Sequence, residues 1–398
     1  MATFSVAFLG CKVSQTDAQE IRERLVADGH VERDGASDVA IVNTCCVTHE
    51  AVRKSRQAAR RAARGAQRVY VTGCGANLQG DAFTGLPENV SVVRLPSERT
   101  PAFVAGDVGA VGCLQADAGL DRVRAFVKVQ DGCSFSCAFC VIPQVRGKSR
   151  SRSAASVLLE IRRRVAQGHR EVVLTGINLG CYRDRAAGFD LARLVREAGS
   201  TPGLERLRLS SLEVNHLSDA LLAAMRETPT VSPHLHVPLQ SGDDGVLEAM
   251  GRRYTVATYL RRTMAAEGFN LTSDVIVGFP AEDERAFENT LRAVEEAGIT
   301  KVHVFPYSPR PGTRTAASDS VPAAVKRDRS ARLRRLSAEL CRRRWQGRLG
   351  CEDVVHVDRP GRGYADDYTP WLVDAPIGAF VRARAIAVAE DGIVGVAA

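Results

Sequence analysis

Short apolar runs alternate with amphipathic stretches along the N-terminal part of the chain. The apolar runs predict strands, and the stretches with helical periodicity predict helices. The strands are expected at residues 4–9, 39–42 and 69–71, and the helices at residues 17–28 and 50–64. This alternation indicates a small parallel sheet covered by helices, so we predict an N-terminal parallel-sheet α/β domain over residues 1–110.

The same alternation continues in the middle of the chain, after small irregular residues at 112–118 that predict a linker. Six strands are expected at residues 125–130, 171–176, 206–210, 234–239, 273–278 and 301–307. Helical segments between them include residues 154–167, 217–226, 256–267 and 284–297. Six strand–helix units predict a partial (β/α)6 barrel whose active site lies at the carboxyl ends of the strands. With the basic helix that follows it, this core is expected to span residues 119–348.

The pattern changes again towards the C-terminus. Residues 326–348 are strongly helical in composition and hold ten lysines and arginines against Asp328 and Glu339. Short β patterns follow at residues 354–357, 371–373, 380–387 and 393–396, and they predict a small β-barrel over residues 349–398. Three aromatic residues of this part could stack on bases or pack in the fold, and both readings stay open: Tyr364, Tyr368 and Trp371.

Composition and charge indicate which kinds of partner the chain is expected to bind. The chain is 45% hydrophobic, has no apolar run of membrane-spanning length and begins without a secretory signal, so we expect a cytoplasmic protein with no membrane partner. Its net charge of +8 favours a polyanionic partner, most simply nucleic acid. The run from Arg53 to Arg68 contains no acidic residue, which favours phosphate contact over the alternative of a solvated helix face.

A cysteine follows each of the three predicted N-terminal strands: Cys11, Cys45 and Cys74. Because the carboxyl ends of parallel strands lie at one edge of a sheet, these residues are expected to meet and to hold a metal cluster. The alternative is three small residues buried at strand ends. Cys46 is expected to point elsewhere.

A second set of three cysteines lies on one short loop, Cys133-Ser-Phe-Ser-Cys137-Ala-Phe-Cys140. A closed structural zinc site or a ferredoxin cluster needs four ligands, so three thiolates on a [4Fe–4S] cluster leave one iron open to a small molecule. A zinc knuckle or three incidental thiols are the alternatives. His234 and His236 alternate on one strand, where a hydrogen-bonded pair is favoured over a metal site.

This combination of motifs resembles the methylthiotransferase family of radical S-adenosylmethionine (SAM) enzymes, and the resemblance covers nearly the whole chain. Several stretches are similar to the tRNA N6-threonylcarbamoyladenosine branch: Gly10-Cys11-Lys12-Val13, Asn43-Thr44-Cys45, Val127-Lys128-Val129-Gln130-Asp131-Gly132-Cys133, Arg252-Arg253-Tyr254-Thr255 and His303-Val304-Phe305-Pro306-Tyr307-Ser308. The chain departs from the family pattern at Ser14, at Glu213-Val214 and at residues 278–283.

The resemblance implies a methylthiotransferase domain, a radical SAM core and a TRAM-like β-barrel. It also implies one [4Fe–4S] cluster on Cys11, Cys45 and Cys74, and a second, SAM-binding [4Fe–4S] cluster on Cys133, Cys137 and Cys140. The implied reaction adds a methylthio group to C2 of N6-threonylcarbamoyladenosine beside the tRNA anticodon, with an electron donor and a sulfur donor as partners. The alternatives are methylthiolation of isopentenyl-adenosine or of a ribosomal protein, or a non-enzymatic iron–sulfur protein that binds RNA or carries electrons.

Overall fold

A computed structural model of the chain describes residues 1–78, 80, 82–94 and 123–398. The predicted linker at residues 112–118 lies outside the described residues. The chain forms two compact units. The first comprises Met1–Asp121, Asp131–Arg150 and Ser308–Ser318, and the second comprises Arg122–Gln130, Ser151–Tyr307 and Asp319–Ala398. The three-part division predicted from the sequence stays a prediction.

A five-stranded parallel sheet with the order β2-β1-β3-β4-β5 organises the first unit. Its elements are β1 (Thr3–Phe8), α1 (Lys12–Ala27), β2 (Val31–Glu32), β3 (Ser37–Thr44), α2 (His49–Ala62), β4 (Ala66–Gly73), β5 (Val90–Val92) and, after the cysteine loop, α3 (Ile142–Arg146). Phe4, Ile41 and Tyr70 pack against α1 in its core. The predicted parallel α/β arrangement is confirmed, and the short strands β2 and β5 are additions to it.

Six parallel strands form the barrel of the second unit, in the order β6-β9-β12 and β13-β14-β15. A parallel bridge between Leu207 and Val231 joins the two sheets, which confirms the predicted partial barrel. The strands of this region are β6 (Arg124–Lys128), β7 (Gln130–Asp131), β8 (Arg150–Ser151), β9 (Glu171–Thr175), β10 (Arg183–Asp184), β11 (Phe189–Asp190), β12 (Arg206–Leu209), β13 (His234–His236), β14 (Asn270–Val277) and β15 (Ile299–Pro306).

Helices follow the barrel strands and cover one face of the sheet. They are α4 (Ala154–Ala166), α5 (Leu191–Gly199), α6 (Asp219–Glu227), α7 (Asp244–Ala249), α8 (Val256–Met264), α9 (Glu284–Glu296) and α10 (Ala323–Gln346). On β14, Ser273, Val275 and Val277 are fully buried, whereas Asp274 and Ile276 on the opposite face are partly exposed. This period of two leaves a polar face of the barrel accessible.

The C-terminal residues form a closed five-stranded barrel with the order β16-β17-β18-β20-β19. Its strands are β16 (Glu352–Arg359), β17 (Arg362–Tyr364), β18 (Pro370–Leu372), β19 (Phe380–Ala389) and β20 (Gly392–Ala397). Trp371 is only 1% exposed and packs with Val355 and Ile393 in the barrel core. The predicted β-barrel is therefore confirmed. Among the described residues, no helix has both the length and the apolar character needed to cross a membrane.

Candidate functional site

The three separated cysteines lie at the carboxyl edge of the N-terminal sheet, after the neighbouring strands β1, β3 and β4. Cys45 and Cys74 are buried directly after β3 and β4, and Cys11 lies exposed after β1 as the N-cap of α1. Burial raises the pKa of the Cys45 thiol, and a nearby Cys11 raises it further. Burial likewise raises the pKa of Cys74 to about 12, although the Arg146 charge opposes this. The structure thus places both buried thiols within electrostatic reach of Cys11.

Two glycines at this edge occupy positions where a larger residue would clash with its neighbours. Gly73 has a φ of +87°, and a Cβ there would lie 1.9 Å from Oδ1 of Asn43. Gly10 has a φ of +135°, and a Cβ there would lie 2.7 Å from Oγ of Ser14. Ser14 is itself buried, so the departure from the family pattern places a small hydroxyl side chain against Gly10. Neither glycine can be replaced without moving a neighbour of the cysteines.

The loop with Cys133, Cys137 and Cys140 belongs to the same compact unit. The Cys133 N–H donates to the carbonyl of Gly147 at 3.0 Å, and the Cys140 N–H donates to the carbonyl of Cys137 at 3.2 Å. All three cysteines are partly exposed. Their thiols are therefore held on a closed loop and remain accessible to an incoming cluster.

The closure of this loop depends on Gly132, which has a φ of +68°. A Cβ at this position would lie 2.2 Å from the carbonyl oxygen of Lys148 and 2.7 Å from that of Gly147. Residues 308–318 support the loop from another side, since Arg314 donates to the carbonyl of Ser136 at 2.9 Å.

Arg146 links the two cysteine sets within this unit. Its Nε donates to Sγ of Cys74 at 2.9 Å, Nη1 to Asp131 at 3.0 Å and Nη2 to Asp17 at 2.5 Å. Arg146 is the last residue of α3, directly after the Cys133 loop, and only 8% of it is exposed. Sequence reasoning missed this residue, although an arginine so close to a cysteine motif was a possible signal.

Cys46 was expected to point away from the cluster ligands. It is fully buried in an apolar cluster with Cys74, Leu78 and Val141. Burial raises its pKa, and smaller contributions from Cys74, Cys45 and Cys140 raise it further. Cys46 therefore lies within electrostatic reach of cysteines from both sets.

The accessible face of the barrel carries a second polar group of side chains. Nε2 of His236 lies 3.2 Å from Oδ2 of Asp274, and Asp274 pairs in register with His303. One ligand atom from each of these residues lies within 4.8 Å of the others. His234 and His236 both contact Oγ1 of Thr272, at 3.0 and 2.9 Å, which fits the hydrogen-bonded pair favoured by the sequence.

The loop after β14 tolerates its departures from the family pattern. The Gly278 N–H donates to Glu282 at 2.7 Å, and Arg329 of α10 donates to the same carboxylate at 2.8 Å. Asp283 is the N-cap of α9 and accepts from the N–H of Ala286 at 2.8 Å. Aspartate is a strong N-cap, so this loop starts α9 with a side chain that satisfies one of its free N–H groups.

The cations of the basic helix α10, with Arg348 two residues beyond its end, fall into two groups. Five cations of the segment 326–348 form ion pairs with carboxylates: Lys326, Arg329, Arg332, Arg344 and Arg348. The other five are exposed and form no ion pair in the described part of the chain: Arg327, Arg334, Arg335, Arg342 and Arg343. These five can reach phosphate groups.

The earlier basic run on α2 is less available than the sequence indicated. Arg53 pairs with Glu50 at 2.5 Å, and Arg56 donates to the carbonyls of Ala82 and Thr84 at 2.6 and 3.0 Å. Arg61 is among the exposed cations of this run that make none of these contacts. Part of this run therefore serves the fold.

The aromatic residues of the C-terminal barrel mainly serve packing. Tyr364 and Tyr368 stack on each other with centroids 4.7 Å apart, and Arg124 lies 4.7 Å above the Tyr364 ring. Trp371 is buried in the core. Of the two readings that the sequence left open, the structure favours packing for these three residues.

Comparison with known proteins adds family information to this geometry. The family model of the radical SAM superfamily matches residues 127–294, and the model described as uncharacterized protein family UPF0004 matches residues 3–94. The threonylcarbamoyladenosine tRNA methylthiotransferase MtaB of Chlamydia pneumoniae is 33% identical over 99% of this chain and 97% of that protein. The tRNA-2-methylthio-N(6)-dimethylallyladenosine synthase of Alkalilimnicola ehrlichii is 36% identical over 89% of this chain and 86% of that protein.

A solved structure shares the fold. The radical S-adenosylmethionine methyltransferase TsrM from Kitasatospora setae, bound to tryptophan and a SAM analogue, superposes with a TM-score of 0.57. The match covers 79% of this chain and 75% of TsrM at 15% identity, so it supports the architecture alone.

Proposed function

This chain belongs to the methylthiotransferase family of radical SAM enzymes, and we propose that it adds a methylthio group to C2 of N6-threonylcarbamoyladenosine beside the anticodon of tRNA. The observation that carries the proposal is the pair of three-cysteine sets in one compact unit, one at the sheet edge and one on the Cys133 loop. Each set is one ligand short of a closed four-ligand site, which suits clusters that keep an iron for a reactant.

The cofactors of this family are two [4Fe–4S] clusters and SAM. Cys11, Cys45 and Cys74 would hold the first cluster, and Cys133, Cys137 and Cys140 would hold the one that binds SAM. When bound, these groups supply one-electron reduction, a carbon radical and sulfur for transfer. The reaction also requires a reducing electron donor and a sulfur donor.

The donor sets fit such clusters. Soft thiolates are the ligands that iron–sulfur clusters select. At Gly10 and Gly73 the backbone packs directly against Ser14 and Asn43, so no larger residue fits next to Cys11 and Cys74. The partly exposed cysteines of the Cys133 loop keep their side of the site open to a small molecule.

The choice of N6-threonylcarbamoyladenosine rests on the sequence stretches that are similar to that branch of the family and on the accessible face of the barrel. That face presents His236, Asp274 and His303, with Lys301 exposed on the same side of β15. A threonylcarbamoyl group carries a carboxylate, a hydroxyl and amide groups, which such side chains can hydrogen-bond. A dimethylallyl group is apolar and would offer these side chains no hydrogen bond.

The exposed arginines of α10 would hold the tRNA backbone. Phosphate contacts fix the orientation of a nucleic acid without reading its sequence. Bases of an anticodon loop can be splayed out of their stack, so a modified adenosine can reach side chains that a stacked base could not.

Mass spectrometry of tRNA nucleosides from cells that lack this protein tests the proposal. Loss of the 2-methylthio form of N6-threonylcarbamoyladenosine, with restoration by the intact gene, is the expected result. Loss of the 2-methylthio isopentenyl nucleoside would instead assign the other tRNA branch. An unchanged nucleoside profile would reject tRNA methylthiolation.

A further inference from the structure

We propose that Arg146 is a positioning residue that sets the reduction potential of the cluster on Cys11, Cys45 and Cys74 by donating its Nε–H to Sγ of Cys74. The inference rests on the proposed function, since it assumes a cluster at this site. Arg146 is not itself a ligand of the proposed cluster.

The geometry gives Arg146 a single orientation. Asp17 and Asp131 accept from its two terminal nitrogens at 2.5 and 3.0 Å, which directs Nε at the Cys74 sulfur at 2.9 Å. The side chains of Arg146, Asp17 and Asp131 are 4%, 11% and 11% exposed. Water is therefore largely excluded from the contact, and a buried N–H bond to sulfur has a strong effect there.

The surrounding backbone holds this arrangement in place. Asp17 lies on α1, which begins directly after Cys11, and Asp131 lies two residues before Cys133. The side-chain amide of Asn77, three residues after Cys74, donates to the carbonyl of Val145 at 2.9 Å. Hydrogen bonds therefore tie Arg146 and its helix α3 to the segments that follow Cys11 and Cys74 and to the segment that precedes Cys133.

The direction of the effect follows from charge. Reduction adds one electron to the cluster, and an N–H donor or a positive charge near a ligand sulfur stabilises the more negative state. The two aspartates neutralise much of the guanidinium charge, so the hydrogen bond carries most of the specific effect. Removal of the arginine should therefore make the cluster harder to reduce.

A redox titration followed by electron paramagnetic resonance measures this directly. The full chain is reconstituted anaerobically with Cys133, Cys137 and Cys140 replaced by alanine, so that the remaining signal comes from the cluster of interest. Arg146→Gln should shift the midpoint potential to a more negative value. Arg146→Lys keeps a positive charge but cannot donate in three fixed directions, and should give a smaller shift of the same sign.

Arg22→Gln is the matched control. Arg22 is a largely buried arginine of α1 whose Nε donates to Glu32 at 2.6 Å, and its replacement should leave the potential unchanged. An Arg146→Gln protein that keeps its iron and titrates at the parent potential would overturn the inference. If that variant fails to hold a cluster, the Arg146→Lys protein decides: a parent-like potential overturns the inference, and a more negative one supports it.

Failure of this inference can be told apart from failure of the proposed function. The intact chain should bind about eight irons, as two four-iron clusters, and about four when Cys11, Cys45 and Cys74 are replaced. If the intact chain bound only four irons and that replacement did not change the number, there would be no cluster on Cys11, Cys45 and Cys74. Eight irons with an insensitive potential would reject only the role of Arg146.

Discussion

Glu171 accepts a hydrogen bond from Nε of Arg208 at 2.8 Å, and the two side chains are 0% and 3% exposed. Glu171 also contacts Arg206 at 3.2 Å and His356 of the C-terminal barrel at 2.9 Å. Arg208 in turn donates to the carbonyl of Ala365 at 2.9 Å. One carboxylate therefore compensates several buried cations where the strands β9 and β12 begin, and their hydrogen bonds fasten the C-terminal barrel to the (β/α)6 core.

Replacing Glu171 with glutamine should lower the free energy of unfolding by about 3–5 kcal/mol, because it removes the buried carboxylate that pairs with Arg206 and Arg208. Glu205→Gln is the control. Glu205 pairs with Arg170 at the surface, and loss of such a pair costs about 0–1 kcal/mol. Denaturant unfolding measures both variants, and equal changes would show that the buried carboxylate has no special role.

Low pH should weaken the buried ion pairs of Glu171. Burial raises the pKa of Glu171, but Arg208, His356 and the other arginines together hold it well below its ordinary value. A lowered carboxyl pKa contributes stability that is complete above the ordinary value of about 4.3 and is lost as pH falls towards the folded value. The wild-type protein should therefore lose more stability below about pH 4.3 than the Glu171→Gln variant does.

The two cysteine sets should separate SAM cleavage from sulfur transfer. Cys137→Ala removes a ligand of the SAM-binding cluster and should stop reductive SAM cleavage, seen as loss of 5′-deoxyadenosine. Cys45→Ala should leave that cleavage intact but abolish methylthio-nucleoside formation. Cys351→Ser, at an exposed cysteine outside both sets, should retain both activities. Methylthio-nucleoside made by the Cys45 variant would contradict the assignment of the sheet-edge cluster.

The exposed arginines of α10 should control the salt dependence of tRNA binding. Replacing Arg334, Arg335 and Arg342 with glutamine should weaken binding and reduce the slope of log K against log salt by about 0.7–0.9 per lost phosphate contact. Arg285→Gln, an exposed arginine on α9, is the control. Filter binding or fluorescence anisotropy across salt concentrations measures the slope, and an unchanged slope would place the tRNA elsewhere.

His303 should contribute to recognition of the threonylcarbamoyl group. His303→Phe should reduce kcat/KM for tRNA that carries this group by about 10- to 150-fold, which corresponds to the about 1.5–3 kcal/mol of a hydrogen bond to a charged group. SAM cleavage without tRNA should persist, and His169→Gln, a change between α4 and β9 outside the group of His236, Asp274 and His303, should behave as wild type. Equal losses of cleavage and modification would point to a disturbed barrel rather than lost substrate contact.

Much of the fold follows from local sequence, because strand and helix periods are visible within a few residues. The placement of Cys11, Cys45 and Cys74 at one edge of the sheet was also predictable, since each follows a strand of one parallel sheet. The start of α1 was set too late: the structure begins it at Lys12 rather than residue 17, because the first helical turn is polar and lacks the apolar period although Val13 is buried.

Long-range pairing could not be predicted. The alternation Arg206-Leu207-Arg208-Leu209 predicts charged side chains facing solvent, yet both arginines are buried. Besides Glu171, several of their partners lie in the C-terminal barrel, more than a hundred residues away, as in the 158-residue separation of Arg206 from Tyr364. Arg146 and Asp17 are likewise 129 residues apart. Only the tertiary structure brings such charges together.

The tight turn at Gly132 has a consequence for assembly. Without a side chain there, the segment before Cys133 closes against the backbone of Lys148. Ordering a flexible loop costs about 1–2 kcal/mol per residue. A loop that the fold itself restrains loses less conformational freedom when its thiols become ligands. Substitution of Gly132 would move that entropic cost to the moment of cluster insertion and slow the maturation of the enzyme.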